Sequence, residues 1–249
     1  MRYFIELSYD GAPFGGWQIQ DNSVTVQEVV QRALSTLLKE EIAVTGAGRT
    51  DAGVNAVNYI AHFDSARLTP EEALSKATIL VYKLNAILPK EVVINKIIPV
   101  EESMHARFSA KSRTYKYYLH TVKDPFSTSY SYYYPFHKLD FEKMNSAAKH
   151  FIGTKDFSSL QKAHSQTKSA ICTVTEAGWV STDEHHHIFT VTANRFLRNM
   201  VRAMVGSLLA VGSGKEAPEW IAKMLEAKDR CKAGNSVPGN ALFLTKIEY

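Results

Sequence analysis

Cysteine is scarce in this chain: Cys172 and Cys231 are the only two among 249 residues. They stand far apart and without the paired spacing of a metal knot. A disulfide framework or a zinc ribbon is therefore excluded as the organising device, and reduced thiols are expected. No stretch approaches the length of a membrane span, and no apolar run follows Met1. A soluble, cytoplasmic protein is the expectation. Low-complexity linkers are also missing; residues 125–135 are the least regular segment. A strong excess of either charge is absent too, since the formal net charge is only +4. That balance suits a polyanionic partner without demanding one. The local shortage says more. From His185 to Lys215 there is no acidic residue, while Arg195, Arg198, Arg202 and Lys215 fall in that span.

What is present is enough apolar material, 45% of the chain, for one large core or two modest ones. Tyr3, Ile5, Leu7 and Tyr9 alternate as one face of a strand over 2–10. Thr25 to Glu28 fits a capping box, with Val26, Val30, Ala33 and Leu37 as the helical stripe behind it. Strands at 42–45 and 57–64 flank a glycine-rich loop. Thr69-Pro70-Glu71-Glu72 opens a second helix whose predicted stripe is Leu74, Ala77, Val81 and Leu84. A strand over 91–100 closes this half.

The remainder loosely repeats the order. A Tyr-rich strand spans 113–121, and Asp140 caps a helix carrying Phe141, Met144, Ala148 and Phe151. Two strands at 171–181 and 187–194 follow. A helix striped by Leu197, Val201, Met204, Leu208 and Val211 comes next, then one from Pro218, and a last strand over 241–248. The expected fold class is α+β: two similar ferredoxin-like (RRM-like) halves, 1–105 and 106–249, with antiparallel or mixed sheets joined edge to edge and a cleft between them as the natural site.

The glycine-rich loop, Gly46 to Ala56, holds one guanidinium, Arg49, and one carboxylate, Asp51, among residues of almost no bulk. Most often an Asp beside Gly in a strand connection is a turn residue bonding its own backbone. A phosphate-cradling loop is a weak reading, because no Lys-Ser/Thr pair follows the glycines and a strand comes next. Elsewhere Arg107, Lys111, Arg113 and Lys116 are interleaved with Tyr115, Tyr117 and Tyr118. Cations beside aromatic platforms suit unstacked RNA, although each tyrosine alone is more often a half-buried strand residue. Arg198 and Arg202 stand four apart, a spacing that predicts one shared helix face. His185-His186-His187 invites a metal reading, but no acidic or Cys partner is grouped with it, and a solvated strand start is expected.

Gly48-Arg49-Thr50-Asp51-Ala52-Gly53-Val54 resembles the signature loop of the tRNA pseudouridine synthase A family. Tyr9-Asp10-Gly11, Gly16 to Gln20, Thr25-Val26-Gln27 and Leu84 to Pro89 are similar to further family segments. So are His105 to Ala110, Arg113 to Tyr117, Asp156 to Ser159, Ala193 to Arg202 and Val205-Gly206-Ser207. These motifs fall in family order over nearly the whole chain.

The resemblance implies a uridine-to-pseudouridine isomerase acting on the 3′ side of the tRNA anticodon stem-loop, as a homodimer. It implies Asp51 as catalytic carboxylate, Arg202 as its partner and Tyr115 at the flipped base, with Arg49 holding RNA or filling the vacated space. Asn55, Arg107, Lys111, Arg113, Arg195 and Arg198 are the further expected substrate contacts. The reaction needs no redox step, hydrolysis or energy input, so no cofactor and no metal are expected. An arginine beside a nucleophilic or basic Asp favours its charged form. Extruding the base costs a few kcal/mol, offset by stacking and hydrogen bonds. The sequence departs from the family's pattern at Asn55 and Gly15, where His is usual. Those departures leave two rivals open: a non-catalytic RNA-binding protein on the same scaffold, and a pseudouridine synthase acting on another RNA.

Overall fold

The computed structural model describes residues 1–136, 138–162 and 169–249. It divides into two compact units: Met1–Lys111 with Leu244–Tyr249, and Ser112–Phe243. The sequence places a boundary between 105 and 106, whereas the chain stays with the first unit through Lys111, whose N–H donates to Glu248 O at 2.7 Å. The C-terminal residues return to that unit as well.

In the first unit the order is β1 (Arg2–Tyr9), α1 (Val26–Leu38), β2 (Val44–Gly46), β3 (Asn55–Asp64), α2 (Pro70–Ser75), α3 (Ala77–Ile87) and β4 (Val92–Val100). β1 pairs antiparallel with both β3 and β4, and β2 pairs antiparallel with the end of β3, giving the order β4-β1-β3-β2. The alternation read from β1 is realised: Tyr3, Ile5, Leu7 and Tyr9 are all buried. Full burial of side chains this size contributes roughly 1.5–3 kcal/mol each.

Both helix starts read from the sequence hold. Thr25 accepts from the N–H of Glu28, and Thr69 with Glu72 forms a complete capping box with Pro70 in the first turn. The second helix is nevertheless broken. Lys76 (φ −109°, ψ 14°) leaves helical geometry, so α2 and α3 are separate and the apolar phase slips. Ala73 and Leu84 are buried, while Leu74, expected on the core stripe, is 66% exposed.

The second unit contains β5 (Ser112–His120), β6 (Tyr132–Tyr133), α4 (Phe141–Ala148), β7 (Gly153–Asp156), β8 (Ile171–Ser181), β9 (His186–Ala193), α5 (Met200–Gly212) and α6 (Trp220–Glu226). β9 lies between β5 and β8, β7 pairs with β8, and two-residue β6 runs parallel to the end of β5. β10 (Leu242–Glu248) crosses into the first unit, where Asn58 Nδ2 donates to Thr245 O at 3.0 Å. Helix α5 is apolar nearly all round, and Met200, Met204 and Leu208 are fully buried with Tyr117, Phe189 and Val191. Asp140 caps α4 by accepting from Lys143 N–H at 3.0 Å.

Candidate active site

Gly46 ends β2 and Asn55 opens β3, so residues 47–54 form a short connection that the local sequence leaves loose and long-range contacts make rigid. Its own turn is closed by Val54 N–H donating to Asp51 O at 3.2 Å, with Gly53 at φ 75°. The segment after β1 supports it. Trp17 N–H donates to Thr50 O at 3.3 Å, and Gly11 N–H donates to Asn55 Oδ1 at 2.8 Å. Side chains are excluded at both contact points: a Cβ on Gly11 would collide with the Val54 carbonyl, and one on Gly16 (φ 101°) with the Thr50 carbonyl.

Three buried aromatic residues complete the support. Tyr9 Oη lies 3.0 Å from Thr50 Oγ1, and the Tyr59 hydroxyl donates to Gly48 O. The Trp17 and Tyr59 rings stand 4.2 Å apart, with Tyr9 5.6 Å from Tyr59. Bonds of this kind contribute about 0.5–1.5 kcal/mol each. Together they order a backbone whose glycines would otherwise be free. On this braced loop Asp51 is half-buried and Arg49 is exposed. A carboxylate carried on a backbone held in this way needs little further backbone ordering when a substrate arrives.

Asn55, expected among the substrate contacts, is 1% exposed and its amide oxygen is taken by Gly11. Its place is under the loop. Gly15 is half-buried, and a Cβ there would collide with the Ser23 hydroxyl. The supporting roles of Tyr9, Trp17 and Tyr59 depend on contacts across the fold that the local sequence does not indicate. Their only physical signals in the sequence are the aromatic alternation in β1 and a Trp that directly follows the pair Gly15-Gly16.

The remaining first-unit candidates lie past β4. Arg107 and Lys111 are both exposed, and Arg107 N–H donates to His105 Nδ1 at 3.1 Å.

In the second unit, β5 sets Arg113, Tyr115 and Tyr117 on one face. Tyr115 pairs with Val191, is half-buried, and turns its ring against the edge of Phe196 at 5.0 Å and 83°. Tyr117 is completely buried, so of the interleaved tyrosines it belongs to the core and not to a base platform. Burial pushes its hydroxyl pKa well up, the neighbouring Tyr132 adds to this, and the Arg202 guanidinium opposes it. Arg202 comes from the first turn of α5, and the segment 236–238 holds it. Arg202 Nε donates to Val237 O at 2.7 Å, Val237 N–H returns a bond to Arg202 O at 3.3 Å, and Tyr117 Oη donates to Pro238 O at 3.1 Å. That segment can approach α5 only because Gly206 lacks a side chain, as a Cβ there would strike Asn235 O.

The shared helix face expected for Arg198 and Arg202 is not formed. Asn199 takes a left-handed conformation (φ 70°) and α5 begins at Met200, so Arg198 lies before the helix and is exposed. Arg113 Nη1 donates to Asn194 O at 2.8 Å, and Arg195 is half-buried close to Cys172. The three consecutive histidines go separate ways. His186 Nδ1 lies 3.0 Å from Asp183, while His187 Nδ1 meets Ser181 Oγ at 2.8 Å and its ring stacks on Phe141 at 3.9 Å. His185 contacts Thr121. Among the described residues no group of three or more His, Cys, Asp or Glu is placed to hold a metal ion. None of their helices is long and apolar enough to cross a membrane. Cys172 is buried, its thiol pushed up to about 11, and Cys231 is exposed.

Comparison with known proteins finds relatives along the whole chain. A family model described as tRNA pseudouridine synthase matches residues 147–249. The chain is 49% identical over 248 residues to the tRNA pseudouridine synthase A of Parabacteroides distasonis, covering all of this chain and 96% of that one. It is 48% identical to the protein of the same name from Bacteroides fragilis, with the same coverage. Against the Bacillus subtilis protein identity is 38% over 253 residues, covering all of this chain and 99% of that one. Among solved structures, the archaeal box H/ACA sRNP Nop10–Cbf5 complex matches at 16% identity with a TM-score of 0.37, over 84% of this chain and 44% of that one. That likeness is too weak to support an argument. Full-length identity of this order, in a chain that builds and braces the Asp-bearing loop, settles its membership: the chain belongs to the tRNA pseudouridine synthase A family.

Proposed function

We propose that this protein isomerises uridine to pseudouridine on the 3′ side of the tRNA anticodon stem-loop, with Asp51 carrying the chemistry. The observation that supports it best is the loop itself. An acidic side chain is presented, with an exposed arginine beside it, on a backbone pinned by Tyr9, Trp17, Asn55 and Tyr59. In the reaction the bond from C1′ to N1 breaks, the uracil turns, C5 bonds to C1′, and the proton lost from C5 is matched by one taken up at N1. Asp51 acts at the sugar, either by attack on C1′ or by promoting a glycal-type intermediate. Tyr115 contacts the extruded base and is the candidate for moving the C5 proton. Arg202 favours the ionised form of Asp51, and Arg49 holds the RNA or occupies the gap left by the base. Arg107, Lys111, Arg113, Arg195 and Arg198 meet phosphates, each reducing the salt sensitivity of binding when removed.

The same reading takes the two units as copies of one ferredoxin-like plan. The order β4-β1-β3-β2 in the first unit, and β9 between β5 and β8 in the second, support it. It also takes the protein as a cytoplasmic homodimer, with one tRNA touching both subunits. The departure at Asn55 weighed toward a non-catalytic relative. Its buried amide oxygen serves the loop backbone, which favours the catalytic reading.

Incubation with unmodified tRNA transcripts, followed by mapping of pseudouridine, tests the proposal. Product confined to the 3′ side of the anticodon stem-loop is expected. Product at unrelated positions would favour an enzyme redirected to other RNA sites, and tight binding without product would favour an RNA-binding protein.

A further inference from the structure

We propose that Phe108 is a stacking platform for an unpaired base of the substrate tRNA, with Arg107 placed beside it for the adjoining phosphate. The proposal rests on the assignment to a tRNA-modifying family. A solitary exposed aromatic ordinarily needs no explanation. Phe108, 75% exposed, differs in what holds it. The turn 105–109 is closed twice, by His105 N–H to Ser109 Oγ and by Ser109 N–H to His105 O, each at 2.9 Å. His105 Nδ1 accepts from the N–H groups of Arg107 (3.1 Å) and Phe108 (3.3 Å). Ala106 is wholly buried, donating to His62 Nδ1 at 3.1 Å and accepting from Tyr249 Oη at 2.7 Å.

Ring contacts run outward from this anchor: His62 meets His105 edge-on at 4.6 Å and 63°, and His105 leans against Phe108 at 4.4 Å and 38°. The Arg107 guanidinium lies over the Phe108 ring, 5.5 Å from its centre, so a base stacking on that face moves it aside toward the adjoining phosphate. A five-residue turn is thus fixed from below, and its one large apolar group faces water. Ala106 also packs in one cluster with Ala47, four residues before Asp51, so platform and loop share a foundation. Arg107 and Lys111 are exposed cations on the side of the turn that carries Phe108, while the exposed acids Glu101 and Glu102 precede it; the cations favour a polyanion over an apolar protein surface. Base stacking on an aromatic ring is tolerant of sequence, so such a platform would accept any of the four bases.

The test measures affinity of the full-length protein for an unmodified tRNA transcript across a salt series, with turnover in parallel. Phe108→Ala is expected to weaken binding roughly 5- to 100-fold with an unchanged salt slope. Phe108→Trp should bind within about threefold of wild type, and Phe108→Leu should fail like the alanine variant, since it keeps apolar area without a π face. Arg107→Ala should instead reduce the salt slope by about one. Unchanged affinity of Phe108→Ala, or rescue by Leu as good as by Trp, overturns the platform. So does a Phe108→Ala variant whose only defect is a smaller mass in sedimentation, which would point to contact between copies. A wild-type protein that neither binds nor modifies tRNA removes the family activity and the platform together, whereas one that modifies tRNA beside an unimpaired Phe108→Ala removes the platform alone.

Discussion

Mild acid should loosen the turn at 105–109 before it affects the carboxylates. His62 is 6% exposed and its Nδ1 accepts from the N–H of Ala106 at 3.1 Å, so protonation there would lose the bond and place a charge in the core. Burial, the Arg2 guanidinium and His105 together hold its pKa down from 6.5 to about 4, and only Asp64 pulls the other way. With the folded value depressed, the unfolded chain binds the extra proton first. The stabilisation is therefore complete above pH 6.5 and is lost as pH falls toward 4. The shift corresponds to about 3 kcal/mol in full, of which about 2 kcal/mol is gone by pH 5.

The carboxylates whose values are lowered, Asp64, Asp156 and Asp183 among them, titrate mainly below this window. Urea unfolding at pH 7.5, 6.5, 5.5 and 5.0 should therefore show a steeper decline in wild type than in His62→Gln, which can still accept from Ala106 but does not titrate; a shallower decline remains in the variant, because burial also lowers the values of His105, His120 and His187. Hydrogen exchange at the Ala106 amide should accelerate over the same range. Parallel curves for the two proteins would refute the reasoning.

Other consequences are equally direct. Gly11→Ala, whose Cβ meets the Val54 carbonyl, should destabilise by about 1–3 kcal/mol and depress turnover, whereas Gly48→Ala, with nothing within 4 Å of its Cβ, should leave thermal unfolding unchanged. Asn55→Ala leaves the Gly11 N–H without its acceptor and should cost about 1–3 kcal/mol in denaturant unfolding, with kcat falling more than KM rises. Arg202→Ala should damage turnover at least about tenfold more than Arg198→Ala, since only Arg202 is positioned by α5 and Val237. Equal kinetic damage from both would count against a special role for Arg202.

Where the sequence carries local physics, it predicted the structure well. The alternation of β1, the caps at Thr25, Thr69 and Asp140, and the glycine loop between two strands all depend on neighbours within a few residues. The misplacements arise where one backbone dihedral resets the phase. Lys76 breaks a predicted helix and exposes Leu74, and left-handed Asn199 removes Arg198 from the helix of Arg202. Contacts made across the fold were illegible for a different reason. No spacing rule says that Tyr59 Oη will donate to Gly48 O, that Asn55 will serve Gly11, or that residues 236–238 will hold Arg202. The residues Asp51, Tyr115 and Arg202 could be named from motif resemblance, but not the scaffolding that fixes each of them.

The central claim is that a single carboxylate on the braced loop performs the isomerisation. Single-turnover formation of pseudouridine in an unmodified tRNA transcript, compared between wild type and Asp51→Asn, tests it most directly. The substitution removes the charge and preserves the size of the side chain. The account predicts a rate lower by at least about 1,000-fold with tRNA affinity within about threefold of wild type. A variant that forms pseudouridine at a rate near that of wild type would contradict it.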